Sequence, residues 1–192
     1  MTHIITIDGP AGSGKSSVSL GLADRLGYTY LDTGAMYRAA ALAAQREAID
    51  IKNEAALGNL CAALDITLVT HGLSSGVLLG SEDISAQIRS PEMDMLSSTV
   101  SAVPSVRRAM TTLQRRMARQ HEALVAEGRD MGTVVFPDAE TKFFLTASME
   151  VRAERRYLER LARGENASNT GVKEEMKKRD EQDETRSAAP EK

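Results

Sequence analysis

A β-branched run, a glycine-rich turn and a helical pattern follow one another at the start of the chain, and this order constrains the fold most. The run is Ile4-Ile5-Thr6-Ile7, and the helical pattern extends over residues 15–26. Between them, Gly9-Pro10-Ala11-Gly12-Ser13-Gly14-Lys15-Ser16 matches the phosphate-loop pattern G-x-x-x-x-G-K-[ST]. Glycines let backbone N–H groups turn inward around an anion, and the helix adds the positive end of its dipole. The sequence therefore predicts that residues 9–17, including Ser17, bind a purine triphosphate, with Lys15 reaching the β- and γ-phosphates and Ser16 ligating Mg²⁺.

Composition limits the classes of protein to which this chain can belong. Its 192 residues are 42% hydrophobic, which is enough for one domain with a sizeable core. A net charge of −3 argues against a cationic nucleic-acid-binding protein. The single cysteine, Cys61, excludes an internal disulfide, and no apolar run approaches the roughly 18 residues of a membrane span. We therefore expect a cytoplasmic monomer that binds neither nucleic acid nor a membrane.

Predicted strands alternate with predicted helices along most of the chain. Four apolar runs predict strands near residues 4–8, 28–32, 123–127 and 142–147. Helices are predicted at residues 15–26, 35–47, 54–64, 91–102, 104–122, 149–163 and 172–186. Residues 66–88 alternate around a turn, which indicates a small antiparallel insertion. The sequence thus predicts an α/β, three-layer P-loop fold with a mainly parallel central sheet.

Arginines follow two of the predicted strands and point to a second anion-binding site. Arg38 stands one helical turn beyond the strand that ends near Leu31, and Arg129 stands just beyond the strand at 123–127. Ligands collect at the carboxyl ends of strands in open α/β sheets, so both arginines should face the phosphate loop. The guanidinium fork suits a phosphate group. This pattern favours a small-molecule kinase over a motor ATPase, and over a switch GTPase, whose Asn-Lys-x-Asp guanine motif is missing.

Four motifs, in order along the chain, resemble those of bacterial cytidylate kinases. They are Ile7-Asp8-Gly9-Pro10-Ala11-Gly12-Ser13-Gly14-Lys15, Leu31-Asp32-Thr33-Gly34-Ala35-Met36-Tyr37-Arg38, Glu127-Gly128-Arg129-Asp130-Met131-Gly132-Thr133-Val134-Val135-Phe136-Pro137-Asp138, and Arg179-Asp180 followed by Asp183 and Arg186-Ser187-Ala188-Ala189-Pro190. The resemblance extends from residue 4 to residue 190, and an antiparallel insertion like that at 66–88 is typical of the family. It implies transfer of a phosphoryl group from ATP to CMP or dCMP, with Mg²⁺.

The resemblance also implies roles for individual residues in binding the acceptor nucleotide. The CMP phosphate would be held by Thr33, Arg38 and Arg129, and the cytosine edge would be read by Ser98, Arg107 and Asp130. The ribose hydroxyls would meet Arg179 and Asp183, with Arg186 close to the acceptor. A carboxylate paired with an arginine suits cytosine, whose amino donor lies beside a ring nitrogen and a carbonyl acceptor.

A charged helix late in the chain resembles a lid that folds over ATP. Its arginines at 152, 156, 160 and 163 share one helix face. The residues expected to stabilise the transferred phosphoryl group are Lys15, Arg129, Arg156 and Arg160. We expect no general base, because the CMP phosphate is already a competent nucleophile. Glu127, at the end of its strand, is expected to hold Mg²⁺ through a water molecule.

The predicted single domain has three parts. A core comprises residues 1–34, 104–150 and 172–192, a monophosphate-binding region comprises 35–103, and a lid comprises about 151–171. Cytidylate kinases usually continue beyond the Ala-Pro at 189–190 with a further strand and a helix, so the last edge strand of the sheet is expected to be absent from this chain. We therefore expect lower stability and weaker adenine binding than in a longer version.

Two other functions remain open from the sequence. One is a regulatory protein of the same fold that binds nucleotides with little turnover, although the intact Lys15, Arg38 and Arg129 argue against it. The other is a P-loop kinase that phosphorylates a small, non-nucleotide acceptor. Comparing acceptors in one phosphotransfer assay separates all three possibilities.

Overall fold

The centre of the computed structural model, which describes residues 2–185, is a four-stranded parallel sheet. Its strands lie in the order β2 (Thr29–Asp32), β6 (Ala123–Gly128), β1 (His3–Asp8) and β7 (Thr141–Phe144). These are the four strands that the sequence predicts, except that β7 ends at Phe144 rather than near 147. On this edge strand, Phe143 and Phe144 are 53% and 52% exposed.

Helices cover most of the remaining described chain, and the last of them begins three residues before its predicted start at 172. They are α1 (Lys15–Leu26), α2 (Thr33–Arg46), α3 (Glu54–Ala63), α4 (Pro91–Ser101), α5 (Pro104–Ala118), α6 (Met149–Ala162) and α7 (Asn169–Thr185). Asp32, Asn53 and Ser148 each cap a helix by accepting a hydrogen bond from a first-turn N–H. The prediction for α5 was four residues too long, because the chain after Ala118 tightens into a turn that leads into β6. Within residues 2–185, no helix has both the length and the apolar character of a membrane span.

The sheet carries apolar side chains on both faces, which makes the fold three-layered. On one face, Ile5, Ile7 and Val125 pack with Ala23 of α1. On the other face, Leu124 joins a larger cluster built from α2, α3, α4 and α5. Successive strand residues point to opposite faces, so Leu124 and Val125 enter different cores. The three-layer prediction is confirmed, and the carboxyl ends of all four strands meet along one rim of the sheet.

The insertion between α3 and α4 is an antiparallel sheet of three strands. They are β3 (Ile66–His71), β4 (Ser74–Leu79) and β5 (Glu82–Asp83). Ile66 and Val77 are buried in the larger core, which fixes this sheet against α2. The sequence predicts β3 and β4; it misses β5, because two residues give no alternating pattern.

Candidate active site

Three glycines shape the loop between β1 and α1. Gly9, Gly12 and Gly14 have φ angles of 143°, 73° and 95°, and residues other than glycine rarely adopt such positive values. A Cβ atom at Gly9 would lie 2.0 Å from the carbonyl oxygen of Leu145, so the loop and the residue after β7 approach too closely for any residue other than glycine. Helix α1 then begins at Lys15 with no side-chain cap on its first N–H groups. The loop therefore leaves a helix N-terminus available to an anion.

Lys15 and Ser16 lie against Glu127 at the end of β6. The Lys15 Nζ is buried and donates to the Pro10 carbonyl oxygen at 2.8 Å, while the Ser16 hydroxyl donates to Glu127 Oε1 at 2.9 Å. Glu127 Oε2 is buried and accepts no hydrogen bond within residues 2–185. Burial, and then the nearby Asp32 carboxylate, raise the pKa of Glu127 to about 7. A hydroxyl beside a carboxylate with a spare oxygen fits Mg²⁺, which prefers oxygen ligands.

Arginines from three elements gather beyond the carboxyl end of β6. They are Arg38 on α2, Arg129 directly after β6 and Arg179 on α7. Arg129 donates to Asp183 Oδ2 at 3.1 Å, whereas Arg38 Nε is buried with no hydrogen-bond partner in the described part of the chain. Burial, reinforced by the charges of Arg129 and Arg38, lowers the pKa of Arg179 to about 10. Cations held this close together favour binding of an anion.

A buried ion pair joins α5 to the turn after β6. Arg107 donates from its guanidinium to Asp130 Oδ2, and the two residues are 5% and 2% exposed. The same guanidinium donates to the Ser101 carbonyl oxygen at 3.3 Å and lies 5.6 Å from the centre of the Tyr37 ring. Because isolated buried charges are costly, each partner holds the other in place. The pair presents a fixed donor and a fixed acceptor side by side.

Asp8 fixes the turn that carries Arg129 and Asp130. Its two carboxylate oxygens accept hydrogen bonds from the backbone N–H groups of Met131 and Gly132, at 2.9 and 2.8 Å. These residues begin a π-helical turn over Met131–Val135. Burial raises the pKa of Asp8 in spite of these hydrogen bonds. The sequence analysis missed this role, although a charged residue ending a buried strand is a signal that something must pair with it.

Helix α6 lies over the phosphate loop and contacts its backbone. Arg152 donates to the Ala11 carbonyl oxygen at 3.2 Å, and Arg155 donates to that of Ser13, also at 3.2 Å. Arg152 also pairs with Asp180 of α7 at 2.7 Å. The expected lid helix therefore lies beside the loop, and the arginines that donate to the loop backbone are Arg152 and Arg155.

Two hydroxyl groups named by the sequence analysis are engaged within the protein. Thr33 is buried and donates from Oγ1 to the backbone oxygen of Glu127 at 2.6 Å. Ser98 donates to Gln182 Oε1 at 3.1 Å and accepts from the Gln182 side chain at its backbone oxygen at 3.2 Å. Thr33 thus lies at the rim beside Glu127, and Ser98 joins α4 to α7.

Three other predicted residues stand apart from these contacts. Ser17 is exposed on α1. Arg160 donates to Glu175 of α7 at 2.6 Å and lies 3.7 Å from Glu165 in the loop before α7. These two carboxylates balance its charge. Arg186 lies outside the described residues. The roles expected of these three stay predictions.

Sequence reasoning did not find Asp94, on the first turn of α4. Its carboxylate accepts a hydrogen bond from Arg156 of α6, and its Oδ1 lies 3.8 Å from Arg38. Arg38 and Arg156 are 56 and 62 residues away in sequence, so no local motif marks this contact. The predicted arginines thus have a carboxylate between them.

Comparisons with known proteins show which family this chain is similar to. The family model described as Cytidylate kinase matches residues 5–192. The cytidylate kinase of Geobacter sp. (strain M21) is 52% identical over 97% of this chain and 80% of its own length. That of Rhodococcus jostii (strain RHA1) is 46% identical over 97% of this chain and 82% of its own. A solved structure from Thermus thermophilus covers 98% of this chain and 86% of its own, with 22% identity and a TM-score of 0.45.

These matches define a P-loop phosphotransferase, which is the class that the phosphate loop and the parallel sheet also indicate. The family model spans nearly the whole chain, and the curated relatives match it at about half identity. The chain belongs to the cytidylate kinase family.

Proposed function

We propose that this protein transfers the γ-phosphoryl group of ATP to CMP or dCMP, releasing ADP and CDP or dCDP. Membership of the family supports phosphoryl transfer to CMP. One observation carries the finer proposal: the glycine loop, the arginine group around Arg129 and the Arg107–Asp130 pair all lie along one rim of the sheet. This arrangement supports a triphosphate site next to a site for a second anion and for the base.

The triphosphate is assigned to the loop at residues 9–17 and to the N-terminus of α1. The uncapped N–H groups and Lys15 supply positive charge. Because Lys15 is already buried, binding the triphosphate does not require a mobile side chain to become ordered. Ser16, and Glu127 through a water molecule, would hold Mg²⁺, and the spare Glu127 Oε2 supports this assignment. When bound, Mg²⁺ neutralises phosphate charge.

The acceptor nucleotide is assigned to the rim between α2, α4 and α7. Its phosphate would bind Arg38 and Arg129, with Thr33 beside them. The buried Arg38 Nε, which has no hydrogen-bond partner among the described residues, supports this assignment. Arg107 and Asp130 would read the cytosine edge, and their burial makes an unmatched base costly, because polar groups would be left unpaired. We assign the ribose to Arg179 and Asp183.

The chemistry requires positioning and charge stabilisation. A CMP phosphate oxygen forms a bond to the γ-phosphorus while the bond to the β,γ-bridging oxygen breaks, and ADP leaves with that electron pair. Lys15, Arg129 and Arg156 would stabilise the charge on the transferred group. Helix α6 would exclude water, the competing acceptor. In this division residues 35–103 form the monophosphate-binding region, to which the core also contributes side chains, and residues 151–171 form the lid.

The proposal is tested by measuring ADP formation with CMP, dCMP, UMP and AMP as acceptors. We expect the highest kcat/KM with CMP or dCMP, and loss of turnover in a Lys15→Met variant whose melting curve matches the wild type. Turnover with AMP equal to or above that with CMP would overturn the cytidine assignment. Transfer only to a non-nucleotide acceptor would indicate a different kinase, and binding without turnover a regulatory protein.

A further inference from the structure

Asp94 occupies a position that an anion from outside the protein could also take. Its carboxylate is 12% exposed and lies between Arg38, whose NH1 is 3.8 Å from Oδ1, and Arg156, which donates to Oδ2. The three side chains come from α2, α4 and α6. Two guanidinium groups facing one carboxylate repeat the arrangement with which arginines bind a phosphate group.

Asp94 shares Arg156 with a second acid, because Glu159 accepts a hydrogen bond from the same guanidinium at 2.7 Å. Besides Arg38 and Arg156, the guanidinium of Arg129 lies close enough for its charge to act on the buried Arg179. Arg38 Nε makes no hydrogen bond within residues 2–185, so Asp94 only partly satisfies this arginine. A phosphate group carries more charge and more acceptor oxygens than Asp94, and it would compete with Asp94 for Arg38.

The Asp94 contact is also one of several that connect the region around α4 to α6 and α7. Arg163 at the end of α6 donates to the Arg89 carbonyl oxygen at 2.6 Å, and Ser98 of α4 exchanges hydrogen bonds with Gln182 of α7. Of these contacts, only the one at Asp94 also involves Arg38, an arginine assigned to the acceptor phosphate. Displacing Asp94 would therefore change both the phosphate site and the position of α6.

We propose that Asp94 is an internal competitor of the acceptor phosphate, which holds Arg38 and Arg156 together until the monophosphate binds. This inference rests on the proposed function, because it takes Arg38 as part of the acceptor site. Binding of the CMP phosphate at Arg38 displaces the Asp94 carboxylate and frees the NH2 group of Arg156 for the transferred group, while NH1 stays paired with Glu159. Asp94 thus limits acceptor affinity.

The proposal is tested by replacing Asp94 and measuring CMP affinity. Asp94→Asn keeps the size of the side chain and removes its charge, so we expect CMP to bind about fivefold more tightly in calorimetry, the upper range for partly exposed ion pairs. KM for CMP should fall equally, with kcat within about twofold of wild type. Asp94→Ser should also tighten binding, and Asp94→Glu, which keeps the charge, should not.

Glu92→Gln is the matched control, because Glu92 is an exposed acid on the same turn of α4 and contacts Gln45 rather than an arginine. It should leave CMP affinity unchanged. Equal CMP affinity in Asp94→Asn and the wild type would overturn the proposal. So would a lower kcat at unchanged KM, which would make Asp94 a positioning residue for Arg156. If the wild type binds no CMP, the proposed function itself fails.

Discussion

At the scale of single residues, the buried pair of Arg107 and Asp130 combines stability with recognition. Both side chains are almost inaccessible, and each neutralises the other. Removing one partner leaves an uncompensated buried charge, which typically costs about 3–5 kcal/mol. A variant of one residue alone therefore changes folding and base recognition together, and a useful test must separate them.

The first prediction separates these two effects with a double variant. Asp130→Asn should lower the free energy of unfolding by about 3 kcal/mol or more and abolish preference for CMP over UMP. Arg107→Met combined with Asp130→Leu should recover most of the stability, because apolar residues of similar volume often replace a buried ion pair without loss. The double variant should still lack base preference. Chemical denaturation and acceptor competition measure the two quantities.

The control for this prediction is the exposed pair of Arg46 and Glu82. Glu82 accepts hydrogen bonds from both terminal nitrogens of Arg46 at 2.7 Å, and this contact lowers the pKa of Glu82 to about 2. Because water surrounds this pair, Glu82→Gln should leave base preference unchanged and the unfolding midpoint close to that of the wild type. Retained discrimination in the double variant would remove Arg107 and Asp130 from base recognition.

At the scale of elements, the first turns of α6 contact both the phosphate loop and α7. Arg152 donates hydrogen bonds to three parts of the molecule. Its acceptors are Ala11 in the phosphate loop, Ala147 just before α6, and Asp180 on α7. A small apolar cluster containing Ala153 also packs α6 on α7. The two helices therefore form one unit, and Arg152 holds that unit against the loop.

The second prediction is that Arg152→Gln loosens this unit. Asp180 is 9% exposed and would lose its cation, so unfolding should become easier by about 3–5 kcal/mol, as for other broken buried pairs. Amide hydrogen exchange should accelerate in α6 and α7, and KM should rise more for ATP than for CMP. Lys173→Gln, which breaks an exposed pair between the same helices, should change none of these. Equal effects on both KM values would contradict the assignment of α6 to the triphosphate.

The elements also explain how much of the fold the sequence predicts. Helix starts at Asp32, Asn53 and Ser148 are encoded by neighbouring residues, so reading along the chain finds them. The π-helical turn at Met131–Val135 depends on Asp8, more than 120 residues earlier, which accepts two of its N–H groups. No local pattern carries that information.

The same distinction holds for the candidate site. Lys15, Ser16 and Arg129 belong to continuous motifs, and the structure gathers all three at one rim of the sheet. Asp94 belongs to no motif, because its partners come from α2 and α6. Arg160 fits the helical stripe that was predicted to face ATP, yet two carboxylates engage it. Helical spacing identifies a shared face but not what that face meets.

At the scale of the whole molecule, two binding regions share one rigid sheet. The triphosphate is assigned to the loop after β1, and the acceptor to the residues after β2 and β6. Asp8 connects the two, because it ends the strand before the glycine loop and holds the turn that carries Arg129 and Asp130. The separation between donor and acceptor is therefore fixed by backbone rather than by long side chains.

The third prediction concerns which regions each nucleotide protects. With CMP alone, amide exchange should slow in α4, in the first turn of α2 and in residues 128–135. With ATP alone, it should slow in residues 9–17 and in α6. The exposed turn between β3 and β4 should be unaffected by either and serves as the internal control. Protection of residues 9–17 by CMP alone would contradict the division into two regions. Hydrogen–deuterium exchange with mass spectrometry measures all of these segments at once.

The rim of the sheet organises chemistry, but the side of the sheet at β7 has a different consequence. Phe143 and Phe144 are about half exposed there, and β7 pairs only with β1 among the described strands. An exposed strand with aromatic side chains is a template on which another copy can add its own backbone. Copies that added to one another at β7 would therefore meet beside the glycine loop, because Leu145, directly after β7, donates to the Asp8 carbonyl oxygen at 2.8 Å.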